Sequence, residues 1–211
     1  MSEHFVKKGH PPPGISSFTK IRLGWIGTDK VLLVKPGETA MNFLSPLSQN
    51  GDKLVVKIPL RYDRYYLIEN RQPVGFDQNL PDSGILVLKV NARVEEGSGT
   101  VKVMDADPDA RHFIHATFRI DESKRNLYID NDYNIAVIPL WADNGKTGVL
   151  VTTPEKSSEA RAAALMIHKL LSRYPESEGI EQSKLVEKCI VTFKKFAFND
   201  CIQMARKALA N

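Results

Sequence analysis

The sequence predicts an α+β chain. An antiparallel β-rich, sandwich-like domain covers residues 1–152, and a helical C-terminal extension covers residues 153–211. Three observations carry this prediction. Short apolar or alternating runs recur between residues 30 and 152, separated by Gly, Pro, Asn and Asp, as in antiparallel sandwiches and barrels. At Thr153-Pro154 the pattern changes, and Ala160, Ala163, Ala164, Ile167, Leu170 and Leu171 recur at helical spacing. No apolar run approaches the roughly 20 residues of a membrane helix, so no membrane span is expected.

The elements follow in order. Pro11-Pro12-Pro13-Gly14 favours polyproline II and cannot continue a helix. Ser16 or Ser17 caps a short helical turn over residues 18–23 that closes at Gly24, and Trp25 leads toward the first strand. Strands are expected over residues 31–34, 54–60, 65–69, 85–90, 100–104, 135–140 and 148–152. Asn50-Gly51 reads as a hairpin-type turn pair before the second of these, and residues 144–147 read as another hairpin turn. Residues 116–120 and 126–129 flank Asp121-Glu122-Ser123-Lys124 as a further hairpin. The run 85–90 is mostly apolar and is expected to be central and buried on both faces. In the tail, Thr153 caps and Pro154 suits the first helical position of a helix that stops at Tyr174, before Pro175. A second helix is expected over residues 182–198, then a last turn after Asn199-Asp200.

Composition narrows the function classes. Hydrophobic residues make up 42% and charged residues 26%, enough for a soluble core. The net charge of +4 comes from lysines and arginines scattered among 25 acidic residues, which does not form the basic face of a nucleic-acid binder. Cys189 and Cys201 lack metal spacing and read as small buried hydrophobes in helices. Met1-Ser2-Glu3-His4-Phe5 contains no apolar core of a signal peptide.

Catalytic motifs fail one by one. No HExxH occurs among the five histidines, and His112 and His115 lie three apart, where a strand would turn them to opposite faces. His168 has no second ligand nearby. Gly97-Ser98-Gly99 has the wrong spacing for a nucleophile elbow. Asn144-Gly145-Lys146-Thr147 lacks the earlier glycine of a phosphate loop, since Leu140 stands there. Asp105, Asp107 and Asp109 alternate as calcium ligands would, but Ala110 and Ala116 stand where a helix–loop–helix site needs Gly and Glu. What remains is a calcium site in a β-loop or an acidic turn bonded to its own backbone. Glu69 and Arg71 share a strand face opposite Tyr66 and Ile68, so they either pair across the sheet or clamp the loop 75–84. A paired, half-buried couple of this kind is more often structural than catalytic. A hydrolase using Glu69 and Asp77 is the minor reading.

Three stretches carry a resemblance. "FTKIRLGWI" at 18–26, with Trp25, "YYLIENRQPVGFDQNLPDSGILVLKV" at 65–90, with Tyr66, Glu69, Asn70, Arg71, Asp77 and Gly84, and "VKVMDADPDARHFIHATF" at 101–118 resemble the immune-inhibitor-A-type zinc metallopeptidases. The similarity is to the region downstream of that family's zinc site and covers residues 1–152. It implies that the HExxH helix and the remaining zinc ligand come earlier than anything here, with Met1 at the methionine turn. The chain would then be a truncated product, the result of a mis-assigned start, or an excised downstream domain. Zinc is implied for the full-length family and not for this chain, and secretion is a family property. The resemblance implies a non-catalytic portion that packs against a catalytic domain or upstream polypeptide and shapes its cleft, with an apolar surface prone to self-association. The alternative is a free-standing β-domain for binding or interaction.

Overall fold

The computed structural model describes residues 9–10, 12–95, 97–121, 124–174 and 180–210. Met1, with its expected methionine turn, lies outside them, as do Pro11, Glu122, Ser123 and residues 175–179. The chain is α+β, with two antiparallel-rich sheets followed by C-terminal helices. Its elements are α1 (Ser17–Arg22), β1 (Val31–Leu33), β2 (Ala40–Leu44), β3 (Val55–Pro59), β4 (Arg64–Arg71), β5 (Gly84–Asn91), β6 (Val101–Met104), β7 (Tyr128–Asp130), β8 (Ile135–Asp143), β9 (Lys146–Thr152), α2 (Pro154–Arg173), α3 (Ile180–Lys194) and α4 (Phe198–Ala210). One sheet has the order β1-β3-β4-β5-β6 and the other β2-β9-β8-β7. All pairs are antiparallel except β1 with β3.

Alternation along each strand builds the layers. Val56, Ile58, Tyr66, Ile68, Ile85 and Val87 of the five-stranded sheet meet Leu44, Ile135, Val137, Val149 and Val151 of the other to form the inter-sheet core. The opposite face of the first sheet presents Val55, Leu67, Leu88 and Val90, covered by Phe18 of α1 together with Ile26. β5 is thereby buried on both sides, as expected for residues 85–90. On the far face of the second sheet, Ile138, Leu140, Trp141 and Leu150 pack with Ala160, Ala163, Ala164 and Ile167 of α2 and Phe193 and Phe198 of the later helices. The core therefore crosses the change of secondary structure at residues 152 and 153. Small residues on α2 let the helix approach the sheet closely. Cys189 and Cys201 are free, buried thiols in this helical layer.

A β-bulge explains why two consecutive residues, Leu140 and Trp141, both turn toward the helices. Pro139 pairs with Val149 and Ala142 with Thr147, so β8 carries one extra residue. Pro139 sits at this irregularity, where a missing N–H costs least. Trp141 then stacks edge-on with Phe43 and Phe193 at centroid distances of 6.3 and 5.3 Å. Asn144-Gly145 closes β8 and β9 with φ of 48° and 74°, the primed turn expected from that dipeptide.

Several expectations are corrected. Asn50-Gly51 makes no hairpin: β2, absent from the sequence reading, pairs with β9, and residues 45–54 cross from one sheet to the other. Residues 116–120 form no strand. Only Phe118 bridges to Ile85, because the neighbouring Thr117, Arg119 and Arg125 bond to Asp82. The second tail helix ends at Lys194, and α4 is a full helix rather than a last turn. Thr153 makes no side-chain cap bond; instead Ser157 Oγ donates to the Pro154 carbonyl at 2.7 Å. Ser16 likewise makes no side-chain cap bond to α1, which is followed by Gly24 at φ 72°.

Candidate functional site

The polar end of β4 is a buried charge triad under the N-terminal strap. Glu69 and Arg71 lie two apart on the outer face of the sheet, and a turn over Gly75–Asp77 brings Asp77 beside them. Their exposures are 0%, 5% and 1%. Arg71 Nη1 donates to Glu69 Oε1 at 3.1 Å, and Nη2 donates to Asp77 Oδ1 at 2.7 Å and to the Gly14 carbonyl at 2.8 Å. The strap answers with its own donors. The Gly14 N–H reaches Asp77 Oδ1 at 2.9 Å, and the Ser17 N–H reaches Glu69 Oε2 at 2.8 Å. Ser48 Oγ completes the shell on Asp77 Oδ2 at 2.6 Å. Lys20, on α1, donates to the Leu47 carbonyl at 2.7 Å. Burial holds its ammonium below the ordinary lysine range, against the attraction of Asp77. Arg71 Nε and Ser17 Oγ are buried without partners. The expected clamp on the 75–84 loop is present, and it also clamps the strap.

Asn70 points the other way and ties the sheets together. Its Nδ2 donates to the Leu44 carbonyl of β2 at 2.9 Å, its Oδ1 accepts from Gln72 Nε2 at 2.9 Å, and its carbonyl accepts the Leu47 N–H. Gly84, at the start of β5, lets residues 117–119 cross: a Cβ there would lie 2.5 Å from the Phe118 carbonyl oxygen. Trp25 is 67% exposed, beyond the end of α1, and enters no strand.

Tyr66 makes the second cross-sheet tie. Its hydroxyl donates to Asp130 and shares a 2.8 Å hydrogen bond with Tyr128, while Lys89 reaches Asp130 at 2.9 Å. Burial first, then the bond to Asp130, pushes the Tyr66 phenol far above its ordinary value, and burial pushes Tyr128 up to about 12. Burial alone would raise Asp130, but the bonds from Tyr66 and Lys89 outweigh it and hold the carboxyl below its ordinary value. These phenols are poorer acids than free tyrosine and suit a structural tie rather than nucleophilic chemistry.

The Asp105-Asp107-Asp109 segment is a turn bonded to itself, with the Asp107 N–H on Asp105 Oδ1 at 3.1 Å and His115 Nδ1 3.3 Å from Asp107 Oδ2. Among the described residues no three His, Cys, Asp or Glu side chains converge as a metal group. The buried cysteines do not fit zinc either: burial raises both thiols, Cys201 to about 12, and Cys201 Sγ–H donates to the Cys189 carbonyl at 3.5 Å. Among the described residues no donor set fits the zinc that the resemblance implies. Glu69 and Asp77 are shielded from water and engaged by their own strap, an arrangement that fastens backbone and leaves no open carboxylate for acid–base work. No protein-family model, curated protein or solved structure matches the chain.

Proposed function

We propose that the chain is the non-catalytic downstream portion of a zinc-metallopeptidase-like protein, packing against a catalytic domain and shaping one wall of its cleft. One observation supports this reading above the rest. The start of α1 is pinned by the buried triad, and just past its end Leu23 and Trp25 stand 54% and 67% exposed around Gly24. A Trp and a Leu held in water by a rigid anchor have the character of a hot spot awaiting a partner. The triad's part is positional: it fixes the direction in which this apolar tip leaves the sheet.

The test is to titrate the chain with the catalytic domain of an immune-inhibitor-A-type peptidase by calorimetry. Saturable binding, weakened at least tenfold by Leu23→Ala with Trp25→Ala, is expected, because two anchor residues of about 1.5–2 kcal/mol each exceed that factor. The chain alone should hydrolyse no casein. Absence of binding would favour a free-standing interaction module, and one equivalent of tightly held zinc with peptidase activity would overturn both readings.

A further inference from the structure

Beyond that reading, and on the opposite side of the two sheets, α3 presents an exposed face of lysines around Val191. Lys184, Lys188, Val191 and Lys195 follow at spacings of four, three and four, which places them on one helical face, and all four are exposed. Lys194 and Phe196 follow at its C-terminal end, where the Phe196 ring also lies 6.2 Å from that of Phe198, and Glu187 is the only exposed carboxylate among the described side chains of α3. Some lysines elsewhere are engaged: Lys89 and Lys146 pair with carboxylates, and Lys57 lies over the Tyr65 ring at 4.2 Å. Among the described residues the four lysines of this face form no ion pair.

Phe196 gives the face its second character. The helix ends in a double closure, with the Phe196 N–H on the Phe193 carbonyl at 2.8 Å and the Ala197 N–H on the Thr192 carbonyl at 3.4 Å. Glycine is the usual residue at the position between, yet Phe196 occupies it at φ 60°. The ring, which follows Lys194 and Lys195 in sequence, is 38% exposed. Tyr62 and Phe113 share such a conformation, and Phe196 differs from them in following two exposed lysines at a helix end.

From this geometry we infer that the α3 face docks on an anionic lipid bilayer surface, lying on it rather than crossing it. Cationic ammonium groups surround two apolar side chains, and this matches an interface where headgroup phosphates ring an acyl boundary. The lysines are compact point charges without the planar fork that reads phosphates and bases bidentately. A nucleic-acid backbone would also leave Val191 and Phe196 without a counterpart. The lysines supply electrostatic attraction and the apolar side chains supply buried area, the two contributions to interfacial binding.

The test is sedimentation of the full chain with vesicles of phosphatidylcholine containing about 30 mol % phosphatidylserine, at about 0.1 M salt, a composition and ionic strength that leave surface charge unscreened at contact. Binding is expected there and not to phosphatidylcholine alone, with loss at about 0.5 M salt. Lys188→Glu with Lys195→Glu should abolish it, since each charge contributes about fivefold. Lys35→Glu with Lys156→Glu, at exposed sites elsewhere, changes net charge equally and should retain most of it. Phe196→Gly suits the backbone, which offsets the lost contact with Phe198, so it should keep the helical signal while weakening binding severalfold. Failure to sediment with anionic vesicles overturns the inference. So does equal loss in both lysine pairs, which would mean net charge alone, or duplex DNA binding as tightly with Phe196→Gly unchanged, which would mean a nucleic-acid face.

Discussion

Replacing Arg71 with Met keeps most of the side-chain volume and removes the charge between two buried carboxylates. Three bonds disappear, to Glu69, Asp77 and the Gly14 carbonyl. The carboxylates are 0% and 1% exposed, so water cannot replace the guanidinium without opening the strap. Removing one partner of a buried charge group costs about 3–5 kcal/mol, a large part of the ~5–15 kcal/mol of a typical domain. For an m value of about 2–3 kcal/mol per molar urea, the midpoint should fall by about 1–2.5 M. Urea unfolding followed by circular dichroism and tryptophan emission measures this directly. The source of the loss is then separated by Glu69→Gln and Asp77→Asn in the Arg71→Met background. These amides carry no charge and still accept from the Ser17 and Gly14 N–H groups, while the Gly14 carbonyl and the new amide N–H groups stay unpaired, so the deficit should shrink without vanishing. A loss below about 1 kcal/mol for Arg71→Met would refute the buried-clamp reading. No recovery in the triple variant would place the loss in the arginine stem's packing instead of its charge.

Two further outcomes test the frame around this clamp. Gly148→Ala should cost about 1–3 kcal/mol, because the new Cβ would sit 2.8 Å from Leu140 Cβ and 3.2 Å from the Trp141 carbonyl oxygen, both fixed by the bulge; unchanged urea stability would refute that packing. Tyr66→Phe should cost about 1.5–3 kcal/mol at pH 7 by removing a buried donor to a carboxylate. Asp130 has its folded pKa depressed by this bond. Its contribution is therefore present above the unfolded value and lost as pH falls through the folded one, and the gap to wild type should close below about pH 4; a melting-temperature gap that widens in acid would refute the assignment.

The legible parts of the fold are those with a local cause. Asn144-Gly145 demanded its turn, Pro154 its helix start, and the apolar run at residues 85–90 its burial between two layers. What escaped lacks a local cause. β2 contains Asn42 and pairs with a strand more than a hundred positions away, so its edge position left no alternation to read. Phe196 ends α3 by taking a conformation whose sequence signature is glycine, and the helix therefore looked continuous. Trp25 was expected to lead into structure because tryptophan usually does, and it stands exposed instead. The spacing of Glu69 and Arg71 correctly announced a shared face and a clamp on the following loop. It could not announce the strap, because Gly14 and Ser17 contribute only the N–H and C=O that almost every residue carries. The Tyr66–Asp130 tie spans 64 positions with no motif to link its ends.

The presence of charge in so dry a place follows from the strap's own needs. A segment lying across the outer face of a sheet cannot join that sheet's ladder, yet its buried backbone groups must be paired. Apolar residues at 69, 71 and 77 would pack as well and would avoid the desolvation of three charges, but they would leave the Gly14 N–H and C=O and the Ser17 N–H without partners. Two carboxylates supply acceptors aimed at two N–H groups, and the arginine supplies a donor to the carbonyl while neutralising them. The Lys20 ammonium, on the first turn after the strap, sits against the same group and offsets the second carboxylate. The cluster thus converts side-chain charge into backbone satisfaction at one location only, which gives the strap a single register on the sheet. A one-residue slip would move Gly14 off Arg71 and Asp77 and Ser17 off Glu69 together, breaking three bonds at once. The direction in which α1 and the exposed Leu23 and Trp25 leave the sheet is set by that register, so the buried charges act on the surface through the backbone they hold.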